Sequence, residues 1–270
     1  MIYSRHFFAC LLAFGGTFSL SPLPAQGASA LQLPGAVPDL SRTADGKWKV
    51  NDRARPQPER AAPKSEAELA VSARAPADAI VLFDGKDLSQ WQPTEWKLQD
   101  GYVEEKPRAG NLVSKAGFGS CRLHVEWWTP NPPARKLQMR GNSGVFLMSR
   151  YEVQVLDTYD NSTYADGFAG AIYGQSPPSV NPIRPPGQWQ SYDIEFHRPI
   201  FSADGKLTKP ATITVGFNGV RVQDHFTIEG ATTHGRRHGY DVHPDSQPLA
   251  LQEHGCIVRF RNIWIEPISD

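Results

Sequence analysis

From about residue 79 onward, apolar and polar positions alternate with a period of two, broken every few residues by turn chemistry. That period places successive side chains on opposite faces of a strand. The pattern predicts strands at Ile80–Phe83, Cys121–Trp128, Gly144–Leu147, Tyr151–Leu156, Gln190–His197, Ala211–Phe217, Val220–Gln223, Leu249–Gln252 and Ile257–Pro267. Asp84-Gly85, Asp100-Gly101 and above all Asn218-Gly219 read as turns, the last joining two Val/Phe-rich runs into a hairpin. Inside this region no amphipathic pattern reaches three helical turns. About 190 residues of short strands imply one all-β domain, a sandwich or jelly roll of antiparallel sheets over residues 79–270.

One strand departs from plain half-burial. In Tyr151-Glu-Val-Gln-Val-Leu-Asp157, Val153 and Val155 share a face, and Glu152 and Gln154 share the other. Asp157 is out of phase by one residue, and a β-bulge at Val155–Leu156 would bring it round to the Glu152 side. Other strands also carry a polar face. His124, Glu126 and Trp128 line up on one, Asp193, Glu195 and His197 on a second, and Arg259 and Arg261 on a third. Any half-exposed antiparallel sheet shows this alternation. The sharper reading is a trough of acids, His, Arg and aromatics, suited to hydrogen-bonding and stacking a sugar. On that reading Glu152, Asp157, His254 and Arg261 are the candidate catalytic residues. Asn142, Gln154, Tyr173, His124, Glu126, Trp128 and Gln252 are candidate substrate ligands. Each has a plainer alternative: surface ion pairs for Glu152 and Arg261, and turn roles for Asp157, Asn142 and His254.

The Pro/Gly-rich stretch Ala165–Trp189 carries Tyr173 and is expected to be an ordered loop at the cleft edge. Thr233-His-Gly-Arg-Arg-His-Gly239 reads as a loop at a site rim. Charge is balanced, with 28 basic and 28 acidic residues and no long basic block, so nucleic-acid binding has no electrostatic footprint. Cys121 and Cys256 fall in expected core strands, where a disulfide and two buried free thiols are both ordinary outcomes.

Ahead of the domain, residues 1–30 have the layout of a secretory signal: Arg5, an apolar run from Phe7 to Phe18, and Ala28-Ser-Ala30 as a cleavage site. The apolar run is shorter than the roughly 20 residues a spanning helix needs, so a periplasmic or secreted mature protein without a stable membrane anchor is expected. Residues 31–78, rich in Pro, Ala, Arg and Glu, are expected to be a largely disordered tether. A docking element at Trp48 and a short helix over Ser65–Arg74 are its structured options.

Taken in order, Leu82-Phe-Asp-Gly-Lys-Asp-Leu-Ser-Gln-Trp91, Asn142-Ser-Gly-Val-Phe-Leu147, Tyr151–Asp157, Ala171-Ile-Tyr-Gly174, Gly187-Gln-Trp-Gln-Ser-Tyr-Asp-Ile194, Asn218-Gly-Val220, Leu249-Ala-Leu-Gln-Glu-His-Gly255 and Arg259-Phe-Arg-Asn-Ile-Trp264 resemble the 3-keto-disaccharide hydrolase family over roughly residues 79–268. The resemblance implies a concanavalin A-like jelly roll, bacterial export and action on 3-keto-glycosides. Laminarinase-type glycosidases on that fold use a Glu-x-Asp-x-x-Glu strand. Glu152-x-Gln154-x-x-Asp157 keeps the spacing but replaces the middle acid with an amide and the last Glu with Asp, which counts against plain retaining hydrolysis. A ketone at sugar C3 acidifies the C2 proton, so a base can drive β-elimination of the C1 oxygen and water can then add to the enone. Glu152 or His254 is expected as base, Asp157 as acid or orienter, and Arg261 near the enolate oxygen. A divalent metal held by Glu152, Asp157 and His254 could replace the arginine. The alternative is a non-catalytic carbohydrate-binding module on the same fold.

Overall fold

The computed structural model describes residues 39–270. The expected signal over 1–30, and the tether as far as residue 38, lie outside the described residues.

In chain order the strands are β1 (Ile80–Phe83), β2 (Lys97–Gln99), β3 (Tyr102–Glu104), β4 (Leu112–Phe118), β5 (Cys121–Trp128), β6 (Ser143–Leu147), β7 (Tyr151–Val155), β8 (Gln190–His197), β9 (Ile200–Phe201), β10 (Leu207–Lys209), β11 (Thr212–Phe217), β12 (Val220–Thr227), β13 (Gln247–Leu251) and β14 (Arg259–Pro267). They form two antiparallel sheets packed face to face, plus the small β9–β10 ribbon. The larger sheet runs β12-β11-β8-β5-β14-β3-β2, with β1 pairing β14 beyond the short β3. The smaller runs β4-β13-β6-β7. This is the jelly-roll sandwich the alternation predicts.

The inward faces follow the period of two. Leu123, Val125 and Trp127 of β5, Tyr192, Ile194 and Phe196 of β8, and Val215 and Phe217 of β11 meet Val145, Leu147, Val153, Val155 and Leu251 of the smaller sheet. Trp127 stacks on Phe217 at 5.8 Å between ring centroids and tilts against Tyr192 at 5.5 Å. The Tyr192 hydroxyl, fully buried, donates to the Gln154 carbonyl at 2.7 Å, tying the two sheets together across the core. Asn218 and Gly219 turn β11 into β12 with φ of 47° and 75°, the left-handed pair a two-residue type I′ hairpin requires. Cys121 and Cys256 are both buried free thiols, so the disulfide option is not realised.

From Asp39 onward the segment expected as a disordered tether runs along the sandwich instead, within the same compact unit. It has little apolar surface of its own, but its backbone groups find partners on the domain. Ala61 N–H donates to Asn181 O at 3.1 Å, Asn181 N–H to Glu59 O at 2.7 Å, and Lys64 N–H to Asn218 O at 3.0 Å. The helix α1 (Glu66–Ser72) then forms inside the predicted window. Ser65 caps it, accepting from Glu68 N–H while the Glu68 carboxylate accepts from Ser65 N–H. Ala73 O at its end accepts from Asn262 Nδ2 at 2.9 Å, seating the helix on the outer face of the larger sheet.

Among the described residues no helix is long and apolar enough to cross a membrane.

Candidate active site

The smaller sheet sets the geometry of the site. β6 and β7 pair without a break in register, from Ser143 opposite Val155 to Leu147 opposite Tyr151. Phe146 therefore faces Glu152, Gly144 faces Gln154, and all four sit on the outer side of the sheet. Gln252 follows β13 and continues the pairing: its N–H donates to Gly144 O at 2.9 Å. The Pro/Gly loop closes the other flank. Its residues Gly170–Tyr173 line up beside the edge of β7, with Gln154 N–H donating to Ala171 O at 3.0 Å and Tyr173 N–H to Glu152 O at 3.3 Å. Tyr173 thus arrives beside Glu152 through main-chain pairing.

The result is a cleft of about 230 Å³ lined by Asn142, Phe146, Glu152, Gln154, Tyr173, Thr232, Thr233, His234, Gln252 and His254. Glu152 is 4 % exposed, and no group among the described residues makes a hydrogen bond to its carboxyl. Burial alone raises its pKa from an ordinary 4.5 to about 8. Two buried carboxamide oxygens, Gln154 Oε1 and Gln252 Oε1, also lack partners among the described residues. Gln154 is oriented by Asn142, whose Oδ1 accepts from Gln154 Nε2 at 3.0 Å. His254 stands on a turn whose N–H, with that of Cys256, donates to Glu105 Oε1 at 2.9 and 3.0 Å. Burial raises the Glu105 pKa to about 8 as well, against the pull of those backbone bonds.

The carboxyl of Glu152 lies against the bare Cα of Gly144. A Cβ there would fall 2.5 Å from Glu152 Oε1 and 2.8 Å from the Phe146 ring. Gly144→Ala is therefore expected to swing Glu152 out of place, lowering turnover by about 10- to 100-fold for a loss of about 1–3 kcal/mol in stability. Steady-state kinetics beside urea unfolding would separate the two.

The structure corrects several sequence expectations. Asp157 does not join Glu152. β7 ends at Val155, no bulge forms, and Asp157 N–H donates to Arg140 O at 2.9 Å as the chain leaves the sheet. Its side chain is 1 % exposed, accepting from Arg140 Nε at 2.7 Å and from Tyr159 N–H at 3.0 Å. Burial raises its pKa despite the guanidinium. It holds a turn, and the metal trio of Glu152, Asp157 and His254 is not assembled. Among the described residues no three His, Cys, Asp or Glu side chains gather as a metal site. Asp157→Ala, which leaves Arg140 Nε and Tyr159 N–H without their partner, is expected to cost about 3 kcal/mol in unfolding free energy. Turnover per folded molecule should stay within about threefold, where a catalytic acid would lose at least a hundredfold.

Arg261, His124, Glu126 and Trp128 are also misplaced by sequence reasoning. They sit on the outer face of the larger sheet, across the core from Glu152. There Arg261 Nε donates to Glu126 Oε2 at 2.6 Å and covers Trp189 at 4.2 Å, and His124 Nδ1 meets Asp193 Oδ1 at 2.7 Å. α1 lies over this group, with Glu66, Leu69, Ala70 and Ala73 lining the same cavity as His124, Glu126 and Arg261. Trp128 is covered by Arg259, 4.1 Å from its ring centroid.

Of the sequence candidates the cleft brings together Glu152, His254, Asn142, Gln154, Tyr173 and Gln252. Phe146, Thr232, Thr233 and His234 complete the lining without being sequence candidates. The Phe146 position follows from the register of the Asn142–Leu147 motif. His234 belongs to the loop read as a site rim, but nothing local marked which of its residues turns inward. Glu105, just past the three-residue β3, carries no sequence signal.

A β-sandwich with a buried, unpartnered carboxyl and two imidazoles in a polar cleft has the build of a carbohydrate-active enzyme. Residues 78–266 match the model of the 3-keto-alpha-glucoside-1,2-lyase-like domain, and the chain belongs to that family. A solved candidate glycosyl hydrolase of Parabacteroides distasonis ATCC 8503 is 40 % identical, with a TM-score of 0.70 over 79 % of this chain and 93 % of that one. A second from the same organism, at 18 % identity and a TM-score of 0.52 over 76 % and 98 % of the two chains, shares the fold. A search of curated proteins gave no match.

Proposed function

We propose that the chain cleaves 3-keto-glycosides by removing the C2 proton and eliminating the C1 oxygen, with hydration of the enone completing net hydrolysis. One observation carries this reading. Glu152 is the sole carboxyl among the residues lining the cleft, buried and without a partner, with its pKa raised to about 8. A general base serves best when its pKa lies near the working pH. Retaining and inverting glycosidases instead need two carboxyl groups flanking the bond, about 5–5.5 or 6.5–9.5 Å apart. With Asp157 in its turn, the cleft offers no second one. A ketone beside the reacting carbon removes that need, because the developing charge spreads onto the carbonyl oxygen.

In this reading Glu152 takes the C2 proton. The imidazoles of His254 and His234 are the groups within the cleft suited to hold the enolate oxygen and to protonate the departing C1 oxygen. Gln154 Oε1 and Gln252 Oε1 accept from sugar hydroxyls, which would supply the hydrogen bonds they lack. Arg261, on the far sheet, has no part. Residues 1–30 would direct export, and sequencing the mature N-terminus from periplasmic and medium fractions tests that.

The deciding experiment offers the purified protein a 3-keto-glucoside and the unoxidised glucoside in parallel. Cleavage confined to the keto sugar, with a transient enone absorbance, is expected. Equal cleavage of both would replace the elimination with ordinary glycoside hydrolysis. Binding without turnover of either would make the chain a carbohydrate-binding module, one that keeps a buried carboxyl at a cost in stability.

A further inference from the structure

The matched family domain starts at residue 78, yet an earlier residue reaches the cleft. The arm turns back on itself at Thr43–Trp48, and Val50 N–H donates to Ser41 O at 2.8 Å. Val50, 8 % exposed, packs over Gly174, where a Cβ would fall 3.3 Å from Val50 Cγ1. Asn51 follows with φ of 61°, the left-handed conformation Asn tolerates better than most residues. Its N–H donates to Asp166 Oδ2 at 3.0 Å, and its side-chain Nδ2 to the Tyr173 hydroxyl at 3.3 Å. The arm is thus pinned to both ends of the stretch that carries Tyr173 into the cleft.

The Tyr173 hydroxyl is a junction of three contacts: Asn51 Nδ2, the Tyr164 hydroxyl at 2.8 Å and His234 Nδ1 at 2.9 Å. A phenol has one proton to give and two lone pairs to accept with. An amide nitrogen can only donate, so Asn51 occupies one lone pair. Among the described residues Tyr164 makes no other side-chain hydrogen bond, so its proton goes to the second. The single Tyr173 proton is then left for His234 Nδ1, which must accept it and so cannot itself carry hydrogen. The remaining proton of a neutral imidazole is then on Nε2.

We infer that Asn51, on an arm outside the matched domain, is a positioning residue for the cleft: through Tyr173 it holds His234 in the Nε2–H tautomer. The imidazole then offers an N–H donor on the side away from Tyr173. In the elimination reading this is the donor for the enolate or leaving oxygen, and that part of the inference rests on that reading; the tautomer does not.

The test is the tautomeric state of His234 in the full chain, read from long-range proton–nitrogen correlations of the imidazole, with His234→Gln for assignment. The Nε2–H form, with Nδ1 shifted as a hydrogen-bond acceptor, is expected in the native protein. A dominant Nδ1–H form, with Tyr173 donating to Tyr164 instead, would overturn the inference whatever the protein turns over. Asn51→Asp exchanges the donor for an acceptor that competes for the Tyr173 proton. The expected result is a shift of His234 toward Nδ1–H and a fall in kcat of roughly tenfold, with KM within about threefold. A folded N51D with an unchanged His234 tautomer and an unchanged pH profile also overturns it. If N51D does not fold, the native spectrum alone decides. If the tautomer is as inferred but no 3-keto-glycoside is cleaved, the elimination reading fails and the positioning role of the arm stands.

Discussion

Glu152→Gln is expected to lower turnover of a 3-keto-glucoside by about 10²- to 10⁴-fold, the range lost when a positioned general base is removed. KM should move little, because the amide keeps the shape of the acid and Gln154 and Gln252, the proposed hydroxyl ligands, remain. The pH dependence adds a second check. A base works ionised, and burial holds Glu152 protonated up to about pH 8. For the native protein, kcat/KM should therefore rise roughly tenfold per unit as pH climbs toward that value, then level off. In E152Q that limb should vanish along with the rate. Full turnover in E152Q would sink the assignment and leave His254 as the base.

The strength of this prediction comes from what surrounds Glu152. Phe146 and the bare Gly144 backbone supply no charge and no donor, so nothing offsets the loss of water around the carboxyl. Asp157 shows the contrasting case on the same short strand and its exit. It too is buried, but Arg140 and Tyr159 N–H satisfy it, and it lines a different cavity from Glu152. Both residues read as acids near an apolar strand in the sequence. What separates them is a partner 17 residues upstream in one case and none among the described residues in the other.

That contrast marks where the sequence stops being legible. Alternation identifies which side of a strand a residue takes, and it placed Glu152, Gln154, His124, Glu126 and Arg261 correctly as outward. A sandwich, however, has two outward faces, and period-two patterning is the same on both. The polar positions of β5, β8 and β14 therefore looked like walls of one trough with those of β6 and β7, although the whole core lies between them. The strands Cys121–Trp128 and Gln190–His197 could be read to the residue because each is a long alternating run. Glu105 could not be read, since its role depends on catching two N–H groups some 150 positions away in sequence. The arm at 39–78 misled for another reason. Composition reports how much apolar surface a segment can bury, and says nothing of backbone hydrogen bonds it makes to an existing domain.

E152Q is also expected to be the more stable protein above neutral pH, which separates a functional carboxyl from a structural one. Glu152 has a folded pKa of about 8 against an ordinary 4.5, so between these values the folded chain holds a proton that the unfolded chain has released. Fewer protons on the unfolded state means that unfolding free energy falls as pH rises. The native protein should lose stability steadily from about pH 4.5, and the loss from this group should be complete above about pH 8. Glu105 has the same sign and the same window, so it adds to the slope in native and variant alike. The depressed pKa of Glu126, about 2, acts only in acid and cancels in the comparison. The difference between the two proteins therefore isolates Glu152. Urea unfolding should find E152Q more stable by about 3–5 kcal/mol at pH 8 and close to equal at pH 4.5. A carboxyl that served the fold would show the reverse, with E152Q weaker at every pH. Greater stability of E152Q would mark Glu152, which pairs with no group among the described residues, as kept for chemistry rather than for packing.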